Sequence, residues 1–365
     1  MKNLKAFLRK KDIIFSGKRY GLDALGAMAQ GLFCTLLVGT ILNTIGQQLG
    51  LGFLTTPIVG DYTIGGLASA MVGPGIAMAI GSALHAPALV LYALIPVGFA
   101  ANAMGGAGGP LSVYFVAIAA CECGKLVSKE TRIDILVTPI VTILSGIGFA
   151  ALVAAPIGTA AKAVGQAIMW ATELQPFFMG ILVSALVGIA LTLPISSAAI
   201  CASLGLVGLA GGAAVAGCCA QMIGFAVMSF KENRWGGLVS QGLGTSMLQV
   251  PNIVRNPRVW IPPTLASAIT GPIATCVFKL QMNGAPINSG MGTCGMCGPI
   301  GVWTGWMAPG EKAVELGLSA ITPTAFDWLG MLLICIVLPA VLSLIFCEIC
   351  RKIGWIKDGD LTLDR

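Results

Sequence analysis

Eight polar side chains in this sequence have the chemistry to bind a small polar solute. Amides and hydroxyls both donate and accept hydrogen bonds, so they match a solute that carries hydroxyl groups. Such side chains in long apolar stretches must find a partner, either in a neighbouring helix or in a ligand. The predicted substrate-binding set is Ser196, Ser197, Gln221, Gln249, Asn252, Asn288, Ser289 and Thr293.

Two ionisable residues are candidates for contact with a proton or with the substrate. His85 is the single histidine and precedes Ala86-Pro87, where a helix is expected to break. It could carry a proton, but the break itself favours a polar residue near the membrane interface. Glu122 lies one helical turn before Lys125, so it either faces a cavity or is an interfacial group beside that lysine.

The twelve cysteines do not predict a metal or redox site. Cys294-x-x-Cys297 and Cys347-x-x-Cys350 have the spacing of metal ligands, but neither pair has a second pair beside it. A structural zinc ion needs four ligands, and a cysteine in an apolar run behaves as a small hydrophobic residue. No catalytic residue, metal or cofactor is therefore assigned.

Two segments rich in small residues are expected to position the polar set. Residues 286–306 contain six glycines and two prolines, a composition that disfavours a continuous helix. An earlier segment opens with PISS at 194–197, much as the later one opens with PINS at 286–289. Interrupted segments in two halves indicate a transporter's binding site. The alternative is a pair of tightly packed helices with small residues at their interface.

The composition predicts an all-α polytopic membrane protein. Hydrophobic residues make up 56% of the chain and charged residues 10%. Residues 24–60, 62–121 and 174–230 contain no Asp, Glu, Lys or Arg, whereas ~20 apolar residues suffice for one spanning helix. We expect about eight to ten transmembrane helices, an even number that leaves both termini on one side.

Lysine and arginine residues predict which side that is. Seven of them precede the first apolar run, and Arg351, Lys352 and Lys357 follow the last one, so the positive-inside rule makes both termini cytoplasmic. Membrane anchoring explains this basic character better than nucleic-acid binding does. The predicted divisions are a cytoplasmic amphipathic segment (1–19), a first transmembrane half (20–155), an external amphipathic connection (156–175), a second transmembrane half (176–347) and a cytoplasmic tail (348–365).

The sequence of residues 176–230 is compatible with two different paths through the membrane. It starts outside and must end inside, because the basic residues of 231–234 follow it. An odd number of crossings is required. Three short passes satisfy this condition, and so does one pass combined with a hairpin that enters and returns.

Four stretches carry a family resemblance. They are residues 122–139, 193–212 (LPISSAAICASLGLVGLAGG), 218–269 and 290–295 (GMGTCG), of which 218–269 is the most specific. They resemble the IIC-type membrane subunits of bacterial sugar phosphotransferase systems, in the branch that includes perfringolysin or toxin regulators. The resemblance covers nearly the whole chain.

This resemblance implies a homodimer in the bacterial inner membrane, with two re-entrant hairpins and an elevator-type transport domain. It implies uptake of a sugar, with phosphoryl groups supplied through separate IIA and IIB proteins. The 18 residues of the predicted tail are too few for a IIB domain. No phosphoryl carrier is therefore expected in this chain, whose enzymatic role would be that of a membrane subunit at most.

Two functions follow from these observations. The first is a permease subunit that binds and translocates a small polar solute. The alternative is a membrane-embedded sensor or regulator that binds a solute without phosphorylation-coupled transport. A short tail without a helix-turn-helix motif argues against direct contact of this chain with DNA.

Overall fold

The computed structural model describes residues 2–363, with the side chains of residues 6–47 and 49–363. Residue 1 of the predicted amphipathic segment and residues 364–365 of the predicted tail lie outside these described residues. The regular structure within 2–363 is helical, apart from two isolated β-bridges. The prediction of an all-α polytopic fold is thus confirmed. The chain divides into two compact units, Met1–Ala160 and Ala161–Arg365.

The first unit consists of a short N-terminal helix followed by apolar helices. They are α1 (Lys2–Lys10), α2 (Arg19–Gln47), α3 (Ile64–Ala70), α4 (Val72–Ala83), α5 (Ala88–Gly105), α6 (Gly109–Val127) and α7 (Asp134–Thr172), with one further turn of helix at Gly52–Thr55. A bend of 55° separates α3 from α4. The predicted break before Pro87 is present, since α4 ends at Ala83 and α5 begins at Ala88.

Helices α5 and α6 form an antiparallel hairpin. The chain leaves α5 at Gly106, which has φ +52°, a value in the left-handed region that glycine adopts readily. At the other end of the hairpin, a Cβ on Gly124 of α6 would lie 2.9 Å from Val90 of α5. The end of α6 therefore packs against the beginning of α5.

Helix α7 is 39 residues long and continues from the first unit into the second. Pro139 and Pro156 both lie inside it. The predicted division between residues 155 and 156 therefore falls within one continuous helix. That residues 156–175 lie on the outer surface stays a prediction.

The second unit contains the two segments of interest. Its further helices are α8 (Pro176–Thr192), α9 (Ser197–Leu204), α10 (Gly208–Met228), α11 (Phe230–Val239), α12 (Val250–Arg255), α13 (Ile261–Pro272), α14 (Cys297–Met307), α15 (Glu311–Glu315) and α16 (Ala325–Lys352). Helix α10 lies at the centre of this unit, because 89% of its most apolar 18-residue stretch is buried inside the protein.

Helices α8, α10 and α13 pack through small residues. Ser184 of α8 donates to the carbonyl of Ser267 on α13 at 2.7 Å, and Ser267 donates to that of Gly217 on α10 at 3.2 Å. A Cβ on Gly188 of α8 would lie 2.8 Å from the same Gly217 carbonyl. Small residues allow backbones to approach this closely in a membrane.

The same contacts give the directions of these helices. Gly188 lies beside Gly217, and Thr192 lies beside Gln221, so residue numbers rise together along α8 and α10. The two helices are parallel, and residues 193–207 must carry the chain back between them. Of the two predicted paths, this arrangement favours three passes over residues 176–228.

By length and composition, five helices of the described residues can cross a membrane, or six when α3 and α4 count as one span. They are Arg19–Gln47, Ala88–Val127, Asp134–Thr172, Gly208–Met228 and Ala325–Lys352. The second of these contains the α5–α6 hairpin and so two passes. Helix α8, with 17 residues, is a shorter apolar helix.

Candidate functional site

The first interrupted segment, residues 193–207, has only one short helix. Helix α9 has eight residues and ends at Gly205, where φ is +61°. Ser196 is its N-cap, and the hydroxyl of Ser196 accepts a hydrogen bond from the Ala199 amide at 3.1 Å. At ~1.5 Å per residue, eight helical residues span about 12 Å, so the rest of this pass is non-helical.

The second interrupted segment, residues 281–307, is a hairpin. Its outgoing limb contains the 3₁₀ turns Pro286–Gly290 and Cys294–Met296, and its returning limb is α14. The Gly298 amide donates to the Gly292 carbonyl at 2.8 Å, and the indole of Trp306 donates to the Gln281 carbonyl at 3.1 Å. From the first contact to the second, the residue number rises from 298 to 306 on the returning limb and falls from 292 to 281 on the outgoing limb. The two limbs therefore run antiparallel.

The tip of this hairpin requires left-handed backbone. Gly292, Gly295 and Met296 have φ values of +53°, +51° and +59°. Glycine adopts such values without steric cost, whereas Met296 does so against its preference. The glycines at positions 292 and 295 thus follow from the reversal of the chain.

The two interrupted segments contact each other. The hydroxyl of Ser197 donates to the Gly290 carbonyl at 2.8 Å, and the hydroxyl of Ser289 donates to the Leu206 carbonyl at 2.6 Å. A Cβ on Gly290 would lie 2.6 Å from the Ser197 carbonyl oxygen. Ser197 and Ser289 are both buried, so they join the segments and have little exposed surface.

Thr293 and Asn288 differ in how far their polar groups are engaged. Thr293 is fully buried, and its hydroxyl donates to the Gly242 carbonyl at 2.5 Å. Asn288 is half-buried and packs against Gly301, where an added Cβ would lie 2.6 Å from the asparagine. Its side-chain amide makes no hydrogen bond with the rest of the described chain. Among the eight predicted residues, Asn288 is therefore the one whose amide is available to a ligand.

Gln221 forms a buried network on one side of a cavity. Its carbonyl oxygen accepts from the indole of Trp260 at 2.9 Å and from Thr192 at 3.3 Å, and its NH₂ group donates to Thr264 at 3.1 Å. Thr192 also exchanges a hydrogen bond with Ser246 at 2.8 Å. A buried amide whose oxygen and nitrogen both have partners is less costly to bury than one without them.

The cavity beside this network has a volume of about 390 Å³. It is lined by Ile189, Pro257, Trp260, Ile261, Thr264 and Leu265. Gln221 does not line the cavity itself. It is hydrogen-bonded to Trp260 and Thr264, which do line it. An aromatic ring beside a hydroxyl gives this wall both an apolar face and a polar atom.

Gln249 and Asn252 contact the C-terminal segment. The Gln249 amide donates to the Leu361 carbonyl at 3.0 Å, and the Asn252 amide donates to the Thr362 carbonyl at 2.9 Å. The Asn252 amide also donates to the side-chain oxygen of Gln249 at 2.7 Å. These two amides are thus engaged by the chain's own backbone, and their predicted role in binding a solute stays a prediction.

The remaining two candidates, His85 and Glu122, belong to the first unit. A carboxylate oxygen of Glu122 accepts from the hydroxyl of Tyr20 at 3.0 Å and lies 3.4 Å from the ammonium of Lys125. His85 is exposed and has φ +56° in the turn between α4 and α5. It lines a cavity of about 260 Å³ that Lys125 also reaches.

Three residues of interest were not among the predicted set. Trp260 and Thr264 line the cavity beside Gln221. Asn283 is fully buried, and its side-chain oxygen has no hydrogen-bond partner within the described part of the chain. Its amide donates to Gln281 at 3.2 Å. The pair Gln281 and Asn283, which closely precedes the interrupted stretch beginning at residue 286, is the sequence signal that could have identified this position.

The described residues contain no group of three or more His, Cys, Asp or Glu side chains that could hold a metal ion. Cys294 and Cys297 are both buried. The site is therefore a set of amides, hydroxyls and backbone carbonyls, which can recognise hydroxyl groups by hydrogen bonds.

Comparison with known proteins gives one match. A family model described as "Phosphotransferase system, EIIC" matches residues 22–363 of the chain. A search of curated proteins finds no match, and a search of solved structures finds none either.

Proposed function

Because this chain belongs to the phosphotransferase system EIIC family, we propose that it binds a sugar and carries it across the bacterial inner membrane. As a member of that family it is a multi-pass membrane subunit of a phosphotransferase-type permease.

One observation supports the proposal more than any other. The two interrupted segments are joined by the hydrogen bond from Ser197 to Gly290, with the uncommitted amide of Asn288 two residues away. Interrupted segments that meet are the usual setting of a transporter's solute site. We propose that residues 193–207 cross the membrane as an interrupted pass, that the hairpin of residues 281–307 is re-entrant, and that Asn288 contacts the hydroxyl groups of the sugar.

The transport cycle that we propose is of the elevator type, in a homodimer whose termini are cytoplasmic. Separate IIA and IIB proteins would supply the phosphoryl group, as the family membership suggests. In this arrangement the chain contributes the pathway and the solute site. It would not carry the phosphoryl group itself.

The test uses purified protein in proteoliposomes and a panel of labelled sugars. We expect saturable binding of at least one sugar, and Asn288→Ala should weaken its affinity about tenfold through loss of one hydrogen bond to a buried ligand. Asn102→Ala is the matched control, since Asn102 is also half-buried and forms no side-chain hydrogen bond with the described residues.

The site assignment is wrong if Asn288→Ala and Gln221→Leu both bind and transport the sugar as the unmodified protein does. Binding without any uptake, even with phosphorylated IIB present, would contradict the transport proposal and support the sensor function. Absence of binding by every sugar tested would contradict the proposed substrate class.

A further inference from the structure

A basic cavity lies at one end of the first unit, where three connections of the chain meet. Lys10 ends α1 and Lys11 follows it, His85 lies between α4 and α5, and Lys129 follows α6. The cavity has a volume of about 260 Å³. None of the residues around it belongs to the interrupted segments.

Four lysines and two carboxylates line this cavity. They are Lys10, Lys11, Lys125, Lys129, Asp12 and Glu130. The hydrogen bond from Arg19 lowers the pKa of Asp12, and the hydrogen bond from Lys11 lowers the pKa of Glu130. Both carboxylates are therefore ionised at neutral pH. Counting these four lysines and two carboxylates, the lining has an excess of two positive charges.

Two of these lysines are fixed in place. Lys11 forms an ion pair with Glu130 at 2.5 Å and donates to the Ser128 carbonyl, and only 8% of its side chain is exposed. Lys125 is 1% exposed, donates to the Asp12 carbonyl at 3.1 Å and lies 3.4 Å from the carboxylate of Glu122. Both ammonium groups are thus held in place, each beside a carboxylate.

The other two lysines supply the uncompensated charge. Lys10 and Lys129 are both exposed, and neither side chain has a carboxylate within ion-pairing distance among residues 6–363. They are free to turn toward an anion in the cavity. A phosphate monoester carries about −1.5 to −2 charges at pH 7, which matches the excess on the lining.

We propose that this cavity binds a phosphate-type anion. Lysine ammonium groups bind phosphate as point charges and do not require the planar geometry that arginine prefers. The anion can come from a soluble phosphate or from the headgroup of an anionic lipid, since both present the same oxygens. The proposal does not depend on which solute the second unit binds.

The first experiment titrates inorganic phosphate into the protein in neutral detergent, with chloride at equal ionic strength as the reference. Lys10→Gln/Lys129→Gln should raise the Kd at least about tenfold, because charge-assisted hydrogen bonds are among the strongest in proteins. Lys18→Gln/Lys352→Gln removes two exposed lysines away from the cavity and should leave the Kd unchanged. Glu130→Gln removes a competing carboxylate and should tighten binding.

The second experiment separates the two sources of the anion. Nanodiscs of phosphatidylglycerol and of phosphatidylcholine are compared by native mass spectrometry for lipid that stays bound. Retention of phosphatidylglycerol that is lost in Lys10→Gln/Lys129→Gln supports the lipid source, and phosphate binding alone supports the soluble source. Equal binding of both probes by this variant and by Lys18→Gln/Lys352→Gln overturns the proposal.

Discussion

At the scale of single residues, Gly290 determines how closely the two interrupted segments approach. The nearest atoms to a Cβ at this position would be backbone atoms of Ser197 and Ala198, at 2.6 to 2.8 Å. Backbone cannot move aside as a flexible side chain can. Any side chain at residue 290 must therefore separate the second segment from the first, and it would lengthen the hydrogen bond from Ser197.

We predict that Gly290→Ala destabilises the protein by about 1–3 kcal/mol, the usual cost of overpacking. Thermal unfolding in detergent measures this effect. Gly148→Ala is the control: Gly148 lies inside helix α7 with no atom within 4 Å of an added Cβ, so it should stabilise by about 0.5–1 kcal/mol. Equal stability of Gly290→Ala and the unmodified protein would mean that the segments are not held this closely.

Residue chemistry selects polar candidates but does not reveal their hydrogen-bond partners. The composition identified Ser197 and Asn288 as polar groups in an interrupted region, because Gly and Pro disfavour a helix around them. It could not show that Ser197 and Gly290 are hydrogen-bonded, since 93 residues separate them in the chain. The same holds for Gln249, whose amide donates to the carbonyl of Leu361.

At the scale of elements, the C-terminal segment after α16 is a packed part of the second unit. Leu361 is fully buried in a cluster with Phe225, Val259 and Ile356. The carbonyl of Leu361 accepts from both Gln249 and Asn233. The segment therefore closes over polar side chains that the sequence alone suggests are open to a solute.

Removal of the Leu361 side chain should release this segment. We predict that Leu361→Ala lowers the free energy of unfolding by about 2–5 kcal/mol, as for other buried leucines. Trypsin should also cut faster after Lys357. Leu316→Ala is the control, because Leu316 is 60% exposed, and its stability should hardly change. Unchanged stability and unchanged cleavage in Leu361→Ala would contradict the packing of the segment.

The sequence also predicted interruptions of helices better than directions of helices. The breaks near Pro87 and in residues 286–306 follow from local backbone chemistry. The parallel course of α8 and α10 depends on contacts such as Gly188 with Gly217, which have no local signal. For that reason the path of residues 176–230 stayed open until the pairing of these helices was known.

At the scale of the whole molecule, the helices account for a definite number of possible passes. They are α2, the bent pair α3–α4, α5, α6, α7, α8, residues 193–207, α10, α13 and α16. Counted in this way, residues 2–363 make ten passes, and the hairpin of residues 281–307 adds none because it returns to the side from which it starts. An even total leaves both termini on one side, in agreement with the distribution of Lys and Arg.

This count predicts the side of every connection. Short epitope tags inserted into the full chain after Gly60 and after Gly317 should be accessible in spheroplasts, because an even number of passes separates these exposed positions. Tags after Thr131 and at the C-terminus should be accessible only in inverted vesicles, since three passes lie between residues 60 and 131. Each of the four tagged proteins is tested in both preparations, so each preparation is the control for the other.

A tag after Gly60 that is accessible from the cytoplasm would reverse the whole orientation. A tag after Gly317 on the opposite side from that after Gly60 would mean an odd number of passes between them. Residues 193–207 would then not cross, or the hairpin of residues 281–307 would not return. Either result would remove the geometric basis for a solute site at Ser197 and Asn288, because the two interrupted segments would no longer meet from opposite directions.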